Sequence, residues 1–122
     1  MISAGEGRYT VRLSSYKIGN DRLVVITGGE EEHIGSVTLI ETKGHLQTMI
    51  KKGHKDHMVS EKMANIIYDK IEKDLLVICG IHIENASKEE IDILVRNAKE
   101  CVEQFLLTQE EKDEKRRDAS SE

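Results

Sequence analysis

The stretch that most constrains what this chain can fold into is residues 75–91. It begins with five consecutive apolar residues, Leu-Leu-Val-Ile-Cys, a run typical of a strand that is covered on both faces. Gly80 follows and permits a turn or the close approach of another segment. After a polar segment, Ser87 and Glu90 form an S-x-x-E capping box, which begins a helix by satisfying its unpaired amide groups. The stretch therefore predicts a buried strand, a polar loop and a capped helix.

Three polar segments join a glycine to a histidine and charged neighbours, and each lies between apolar runs. They are residues 28–35, 51–57 and 80–85, and they hold four of the five histidines. If the three segments converge in space, they form a polar site. If they do not, each is only a connection between elements of secondary structure.

Composition excludes several classes of protein. The chain has 122 residues, enough for one domain with a real core, and its net charge is −5. Aromatic residues make up 3% and Trp is absent, which argues against nucleic-acid binding. No apolar run approaches the roughly 20 residues of a membrane span, and the N-terminus lacks a signal-peptide pattern. We therefore expect a cytoplasmic protein in which Cys79 and Cys101 are reduced packing residues.

Strands are predicted from the successive apolar runs. Residues 1–7 read as a loose lead-in, and residues 8–14 alternate polar and apolar as a strand with one wet face does. The turn residues Gly19, Asn20 and Asp21 predict a hairpin to the next strand. The strands expected after the first lie, in chain order, at residues 23–26, 34–40 and, with poorer alternation, 45–50.

Two helices are predicted from apolar stripes at helical spacing. The first should begin between Asp56 and Ser60 and end near Lys73. The second is marked by seven residues on one face: Ile91, Leu94, Val95, Ala98, Val102, Phe105 and Leu106. These bounds predict a single α/β domain at residues 8–108 and a charged, flexible tail at residues 109–122.

The order β-β-β-(β)-α-β-α predicts the fold. Successive strands can pair as antiparallel neighbours, and two helices can cover one face of the sheet. The expected fold class is therefore α/β (α+β), a two-layer sandwich with a largely antiparallel sheet and two helices packed on one face. The other face of a small sheet often forms a dimer interface, so we expect a homodimer.

Two of the polar segments could bind a phosphate group. Gly28 and Gly29 could form an anion-binding nest, although the three glutamates beside them favour an ordinary surface loop. Lysines around Gly53 and His54 could hold a phosphate with help from the following helix N-terminus, or could simply be a solvated basic loop.

Metal binding and nucleophilic catalysis have weaker support. Histidines in the three segments, with Glu84, could in principle bind zinc, but no pair has the HExxH spacing and no cysteine joins them. Ser60 and Ser87 lie on no nucleophile elbow, and both read as helix-start residues.

The same segments carry a resemblance to a known family. In order along the chain, G-G-x-x-x-H-I-G-S-V from Gly28, G-H-K-D from Gly53 and G-I-H-I-E-N-A from Gly80 resemble the LpdD-like prenylated flavin chaperone family. The resemblance spans residues 8–107. That family is similar in fold to proteasome assembly chaperones, which are small α/β dimers that bind other proteins.

The resemblance implies a non-catalytic accessory protein. Such a protein would bind prenylated FMN or FMN transiently and help to deliver it to a partner aromatic-acid decarboxylase of the kind that acts on gallate and related acids. The positions that match the family, and that would contact the cofactor, are Gly29, His33, Gly35, Gly53, His54, Lys55, His82, Glu84 and Asn85.

Two other functions stay open from the sequence. One is a small metal-binding enzyme that uses the histidines, which would hold zinc or turn over a substrate without a partner. The other is an assembly scaffold that binds no cofactor. A flavin absorbance band after purification with FMN would favour the chaperone.

Overall fold

The computed structural model describes the backbone of residues 1–52 and 57–121 and the side chains of residues 1–52 and 58–109. Short 3-10 turns lie at Gly7–Tyr9 and Thr42–Gly44. The strands and helices, in chain order, are β1 (Ile2–Ala4), β2 (Val11–Ile18), β3 (Asp21–Gly29), β4 (Glu31–Glu41), β5 (His45–Ile50), α1 (His57–Ile71), β6 (Leu75–His82) and α2 (Lys88–Ser121).

The strands form one six-stranded sheet in the order β1-β2-β3-β6-β4-β5. Every neighbouring pair is antiparallel except β3 and β6, which are parallel. Strand β6 thus lies between two strands that precede it in the chain. The predicted α+β sandwich with a largely antiparallel sheet is confirmed. So are the hairpin at Gly19–Asp21 and the strand predicted at residues 45–50, which is β5.

The core lies between one face of the sheet and both helices. Alternate strand residues are buried there, including Leu13, Ile26 and Val77, because every second side chain points to the same face. Helix α1 packs against β4 and β6, whereas α2 packs against β1 and β2 and touches α1. The predicted stripe of α2 is largely confirmed: Leu94, Ala98, Val102, Phe105 and Leu106 are buried. Ile91, however, is 49% exposed because it lies in the first turn of the helix, at the edge of the core.

The structure corrects two sequence interpretations of backbone conformation. The lead-in at residues 1–7 contains β1, a three-residue edge strand too short to show a period, which pairs with β2. Residues 28–33 are not a loop, because β3 runs to Gly29 and β4 begins at Glu31. The charged run enters the sheet because Glu31 and Glu32 of β4 pair with His82 and Ile81 of β6, a strand that comes much later in the chain.

Ser60 also has a different role from the one its position suggested. It lies inside α1 rather than at its start and is fully buried. Its hydroxyl accepts a hydrogen bond from Ser36 at 2.9 Å and shares another with Thr38 at 2.8 Å. Ser60 therefore ties α1 to β4 through a satisfied polar contact, as buried hydroxyls require.

The capping box at the start of α2 is confirmed. The Glu90 N–H donates to the Ser87 hydroxyl at 3.1 Å, and the Ser87 N–H donates to the Glu90 carboxylate at 3.1 Å. We expect Ser87→Ala to lower the free energy of unfolding by about 1 kcal/mol, because one helix amide loses its partner. Urea denaturation checks this, with Ser15→Ala on an exposed strand position as the matched control; equal stability of both variants would contradict a capping role.

Helix α2 is assigned through Ser121. Gln109, the last residue of α2 whose side chain is described, is buried. The boundary between the domain and the charged tail at residue 108 stays a prediction. Cys79 and Cys101 are both buried, as expected, and neither forms a disulfide bond. Among the residues described here, neither helix combines the length and the apolar character that a membrane crossing requires.

Candidate functional site

Two of the three polar segments meet at one end of the sheet. The chain passes from β3 to β4 across the C-terminal end of β6, and the Glu30 N–H donates to the His82 carbonyl at 2.7 Å. Gly29 makes the crossing with φ of +79°, and a Cβ atom on it would overlap the His82 carbonyl oxygen. Only glycine can adopt this positive φ and also leave room for the His82 carbonyl without strain. This accounts for the glycine at position 29 in the segment that resembles the family.

Gly80, which precedes His82 in β6, has a related role inside the sheet. The pairing of β4 with β6 shifts register between Glu32 and Ser36, as at a β-bulge. The bulge brings the backbone of His33 directly over Gly80, where any Cβ would overlap the His33 carbonyl group. Gly80 therefore permits the close backbone approach that the sequence indicated, but within a strand rather than at a turn.

The result of these two approaches is a pair of histidines from different strands. The rings of His33 and His82 lie edge to face, with centroids 5.8 Å apart and an interplanar angle of 84°. Both side chains are partly exposed. The Nε2 atom of His82 is 3.1 Å from a carboxylate oxygen of Glu84, and the Glu84 N–H donates to Glu30 at 3.3 Å. The pair offers ring nitrogens and π-faces to a ligand from outside the sheet.

Two arginines balance much of the acidic run beside the histidines. Arg8 lies 3.6 Å from Glu30, and Arg12 forms a 3.0 Å ion pair with Glu32. Sequence reasoning missed both arginines as members of the site. Alternation in residues 8–14 placed Arg12 on a wet face, but nothing in the sequence indicated that Glu32 would lie opposite. The like-charge objection to an anionic ligand is therefore weaker than the three consecutive glutamates suggested.

A second set of contacts ties this end of the sheet to α2. Arg8 pairs with Glu90 at 3.1 Å, and the Tyr9 hydroxyl donates to the same carboxylate at 3.0 Å. Hydrogen bonds from the Ser87 N–H and then from Tyr9 lower the pKa of Glu90, and the bond to Glu90 raises the pKa of Tyr9. A carboxyl group whose pKa is lower in the folded protein than in the unfolded chain stabilises the folded state. The stabilisation from Glu90 is therefore present at pH values above the ordinary carboxyl pKa, and it is lost as pH falls through the lowered pKa of the folded protein.

The remaining predicted site residues divide into three groups. Gly35 is buried in the bulge, and its carbonyl accepts the Lys51 N–H at 2.8 Å. Asn85 follows β6 with φ of +52°, a left-handed conformation that Asn tolerates, so its backbone makes the turn toward α2. Gly53, His54 and Lys55 lie outside the described residues.

A shallow depression lies beside the bulge, between the ends of β4 and β5. Its volume is about 340 Å³, near the lower end of the range for small-molecule sites. It is lined by Ile34, Gly35, Ser36, Val37, Met49, Ile50 and Lys51. The depression is therefore largely aliphatic, with one lysine at its rim, and it adjoins His33 in the chain.

Metal binding gains no group of ligands from the side chains that the structure describes. Within residues 1–52 and 58–109, no three His, Cys, Asp or Glu side chains come together in a way that could hold an ion. His33 and His82 face each other, and the Glu84 carboxylate contacts His82 itself. Glu30 and Glu32 are engaged with Arg8 and Arg12, and Glu30 also accepts the Glu84 N–H. The side chains of His54 and His57 lie outside the description.

Comparison with known structures defines the class of fold. The chain is similar to a protein in the crystal structure of a novel chaperone complex for yeast 20S proteasome assembly, with a TM-score of 0.57. The likeness covers 89% of this chain and 93% of that one, at 15% sequence identity. At this identity the likeness concerns the fold alone, and it confirms the expected similarity to proteasome assembly chaperones.

Sequence comparison defines the family. The model of the prenylated flavin chaperone LpdD-like domain matches residues 5–110. A relative, Protein LpdD of Lactiplantibacillus plantarum, is 35% identical over an alignment of 80 residues that covers 61% of this chain. The match spans 58% of that protein's length. The chain belongs to the LpdD-like prenylated flavin chaperone family.

Proposed function

We propose that this protein binds prenylated FMN or FMN at the end of the sheet that carries His33 and His82, and delivers it to an aromatic-acid decarboxylase. The observation that carries the proposal is the convergence of residues that match the family pattern. Gly29, His33, Gly35, His82 and Glu84 come from separate strands and connections, yet they lie around one crossing of the chain. Gly29 and Gly80 make room for the backbone of His82 and His33 rather than for a core side chain.

The residues around this crossing fit the parts of a flavin. The depression beside His33 offers Ile34, Met49 and Ile50 as aliphatic surface for the ring system. Polar groups at the edge of a ring can be met by the nitrogens of the histidine pair. Lys51 lines the depression, and its backbone N–H donates to the Gly35 carbonyl, so its ammonium group would hold the phosphate. A shallow site of this kind suits transient binding, because much of the ligand stays open to a partner.

The proposed partners are a decarboxylase and a second copy of this chain. Support for the first is family membership, whose description concerns a flavin chaperone. Support for the second is the sheet face away from both helices, where Val25, Val37 and Ile78 are only partly buried. We place the protein in the cytoplasm, where a flavin carrier and its enzyme would meet.

The test of the flavin site is the double variant His33→Ala/His82→Ala. We expect the dissociation constant for FMN to rise at least about tenfold, since two ring contacts are lost. The free energy of unfolding, measured by thermal denaturation, should change by no more than about 1 kcal/mol, because both side chains are partly exposed. Fluorescence titration measures the binding, and the yield of holo-decarboxylase after co-expression measures delivery.

His45→Ala is the matched control, since His45 is an exposed histidine at the start of β5, away from the crossing. It should leave both readouts unchanged. Unaltered FMN binding and unaltered holo-enzyme yield in the double variant would rule out the site. If the wild-type protein promotes assembly of the decarboxylase but binds no flavin, the result supports an assembly scaffold instead of a flavin carrier.

A further inference from the structure

The two edges of the sheet differ in how well they are protected. At one edge β1 has three residues, and α2 packs against it. At the other edge β5 has six residues, of which four are exposed. In the part of the chain that the structure describes, no further strand pairs with β5. The outer edge of a strand is open to pairing with another chain unless something blocks it.

The pairing of β4 with β5 shows which backbone groups of β5 face outward. Lys51 continues this register just beyond the strand, and its N–H donates to the Gly35 carbonyl at 2.8 Å. Directly bonded pairs alternate with unbonded pairs in an antiparallel ladder, so every second residue before Lys51 also bonds to β4. The residues between them direct their N–H and C=O groups away from the sheet, and they are Leu46, Thr48 and Ile50. These outward groups require water or another chain as a partner.

Strand β5 lacks the features that usually block an open edge. Its six residues, His45–Ile50, include no proline and no Asp, Glu, Lys or Arg. Met49 is 72% exposed and Ile50 is 49% exposed. The centre of this edge is therefore uncharged and partly apolar, which suits pairing with an extended segment that carries apolar side chains.

Cations lie at both ends of this uncharged edge. Lys43 is in the 3-10 turn before β5, and Lys51 and Lys52 follow the strand. All three are exposed, and none forms an ion pair with a carboxylate of the described residues. Residues 42–52 contain no acidic residue, although the net charge of the chain is −5. Lysines at both ends favour a segment that has acidic residues near its ends.

The same cations disfavour pairing between two copies of β5. A two-fold axis would make the two strands antiparallel, so Lys43 of one copy would approach Lys51 and Lys52 of the other. Like charges on directly opposite residues destabilise a strand pair. The charges on this edge are therefore complementary to a different chain, one that supplies carboxylates.

We propose that β5 pairs with an extended segment of the partner decarboxylase, about six residues long, with an uncharged centre and acidic residues near its ends. This inference rests on the decarboxylase partner of the proposed function, and it identifies where that partner docks. Met49 and Ile50 also line the depression that adjoins His33. A decarboxylase strand on β5 would therefore lie beside the proposed flavin site, as delivery of the flavin requires.

The first test is amide hydrogen exchange of the wild-type chain, alone and with the apo form of the decarboxylase used in the co-expression assay. The amides of Leu46, Thr48 and Ile50 should exchange at least about tenfold more slowly in the complex, because each gains a backbone partner. The amides of Gln47 and Met49 bond to β4 and should be protected in both states. This comparison involves no substitution, so it does not depend on the folding of a variant.

The second test reverses the two cations that lie outside the flavin site. Lys43→Glu/Lys52→Glu should raise the dissociation constant of the complex with apo-decarboxylase by about tenfold or more, because acidic residues of the partner would then meet like charges. The matched control, Arg96→Glu/Lys99→Glu, makes the same change of charge at exposed positions of α2, which packs at the opposite edge of the sheet. It should leave the dissociation constant unchanged.

Several results would overturn the proposal. One is a complex that forms without slower exchange of the three outward amides, and another is an equal loss of affinity in the two double variants. Slow exchange of these amides in the protein alone, lost on dilution, would assign the edge to a second copy. A decarboxylase that forms no complex with the wild type would contradict the proposed partner as well as the docking surface. Since neither test contains flavin, the FMN titration of His33→Ala/His82→Ala detects failure of the flavin site separately.

Discussion

Replacement of Val102 by Asp is expected to cost about 4 kcal/mol or more of folding free energy. Val102 is fully buried where α2 packs on the sheet, among Ala98, Cys101 and Phe105. A carboxylate there must lose its water without gaining a partner, or must take up a proton at neutral pH. Since domains of this size have only about 5–15 kcal/mol of stability, such a loss is a large share of the total.

Thermal and urea denaturation measure this effect, and Leu107→Asp is the control in the same helix. Leu107 is 61% exposed, so its substitution should change stability by about 1 kcal/mol or less, mainly through helix propensity. Equal destabilisation by the two changes would mean that the buried face of α2 has been assigned incorrectly.

The second large effect is expected at Gly80, where Ala should destabilise the protein by about 3 kcal/mol. The added Cβ would overlap the carbonyl group of His33, which is backbone and cannot rotate away. The bulge of β4 must then move off β6, at the cost expected of an overpacked position. Because His33 moves with the bulge, FMN binding should weaken as well.

Gly19→Ala separates this overlap from the ordinary cost of replacing a glycine. Gly19 has φ of +62°, and apart from its chain neighbours no atom of the described residues lies within 4 Å of the position of its Cβ. Its substitution should therefore cost only the strain of a left-handed residue, about 1 to 2 kcal/mol, and should leave FMN binding intact. If Gly80→Ala binds FMN as wild type does, the approach of His33 to Gly80 does not shape the site.

Local features of the sequence predicted most elements of this protein correctly. The capping box of Ser87 and Glu90 was readable because both hydrogen bonds join residues three apart in the chain. The stripe of α2 was readable because a helix repeats its buried face every few residues. Gly80 was recognised as a point of close approach, although the sequence could not say what approaches it.

Part of the candidate site was also predictable, but only as separate segments. The sequence singles out His33 and His82 because each lies close to a glycine next to an apolar run, and the segments that resemble the family contain both. Arg8 and Arg12 were missed as members of the site. Their partners, Glu30 and Glu32, lie some twenty residues further along the chain, and a charged residue carries no mark of which opposite charge it will meet.

Only the tertiary structure decided that β6 inserts between β3 and β4. That insertion makes one strand pair parallel, draws the acidic run into the sheet and carries the chain across the end of β6. It also sets the registers that align Val25, Ile78, Val37 and Met49 in one row. The apolar runs determined that these strands would be buried, since burial depends on composition and local period. They could not determine the neighbours, because strand pairing joins backbone groups that are alike in every residue, and the choice among pairings depends on how the whole sheet packs against both helices.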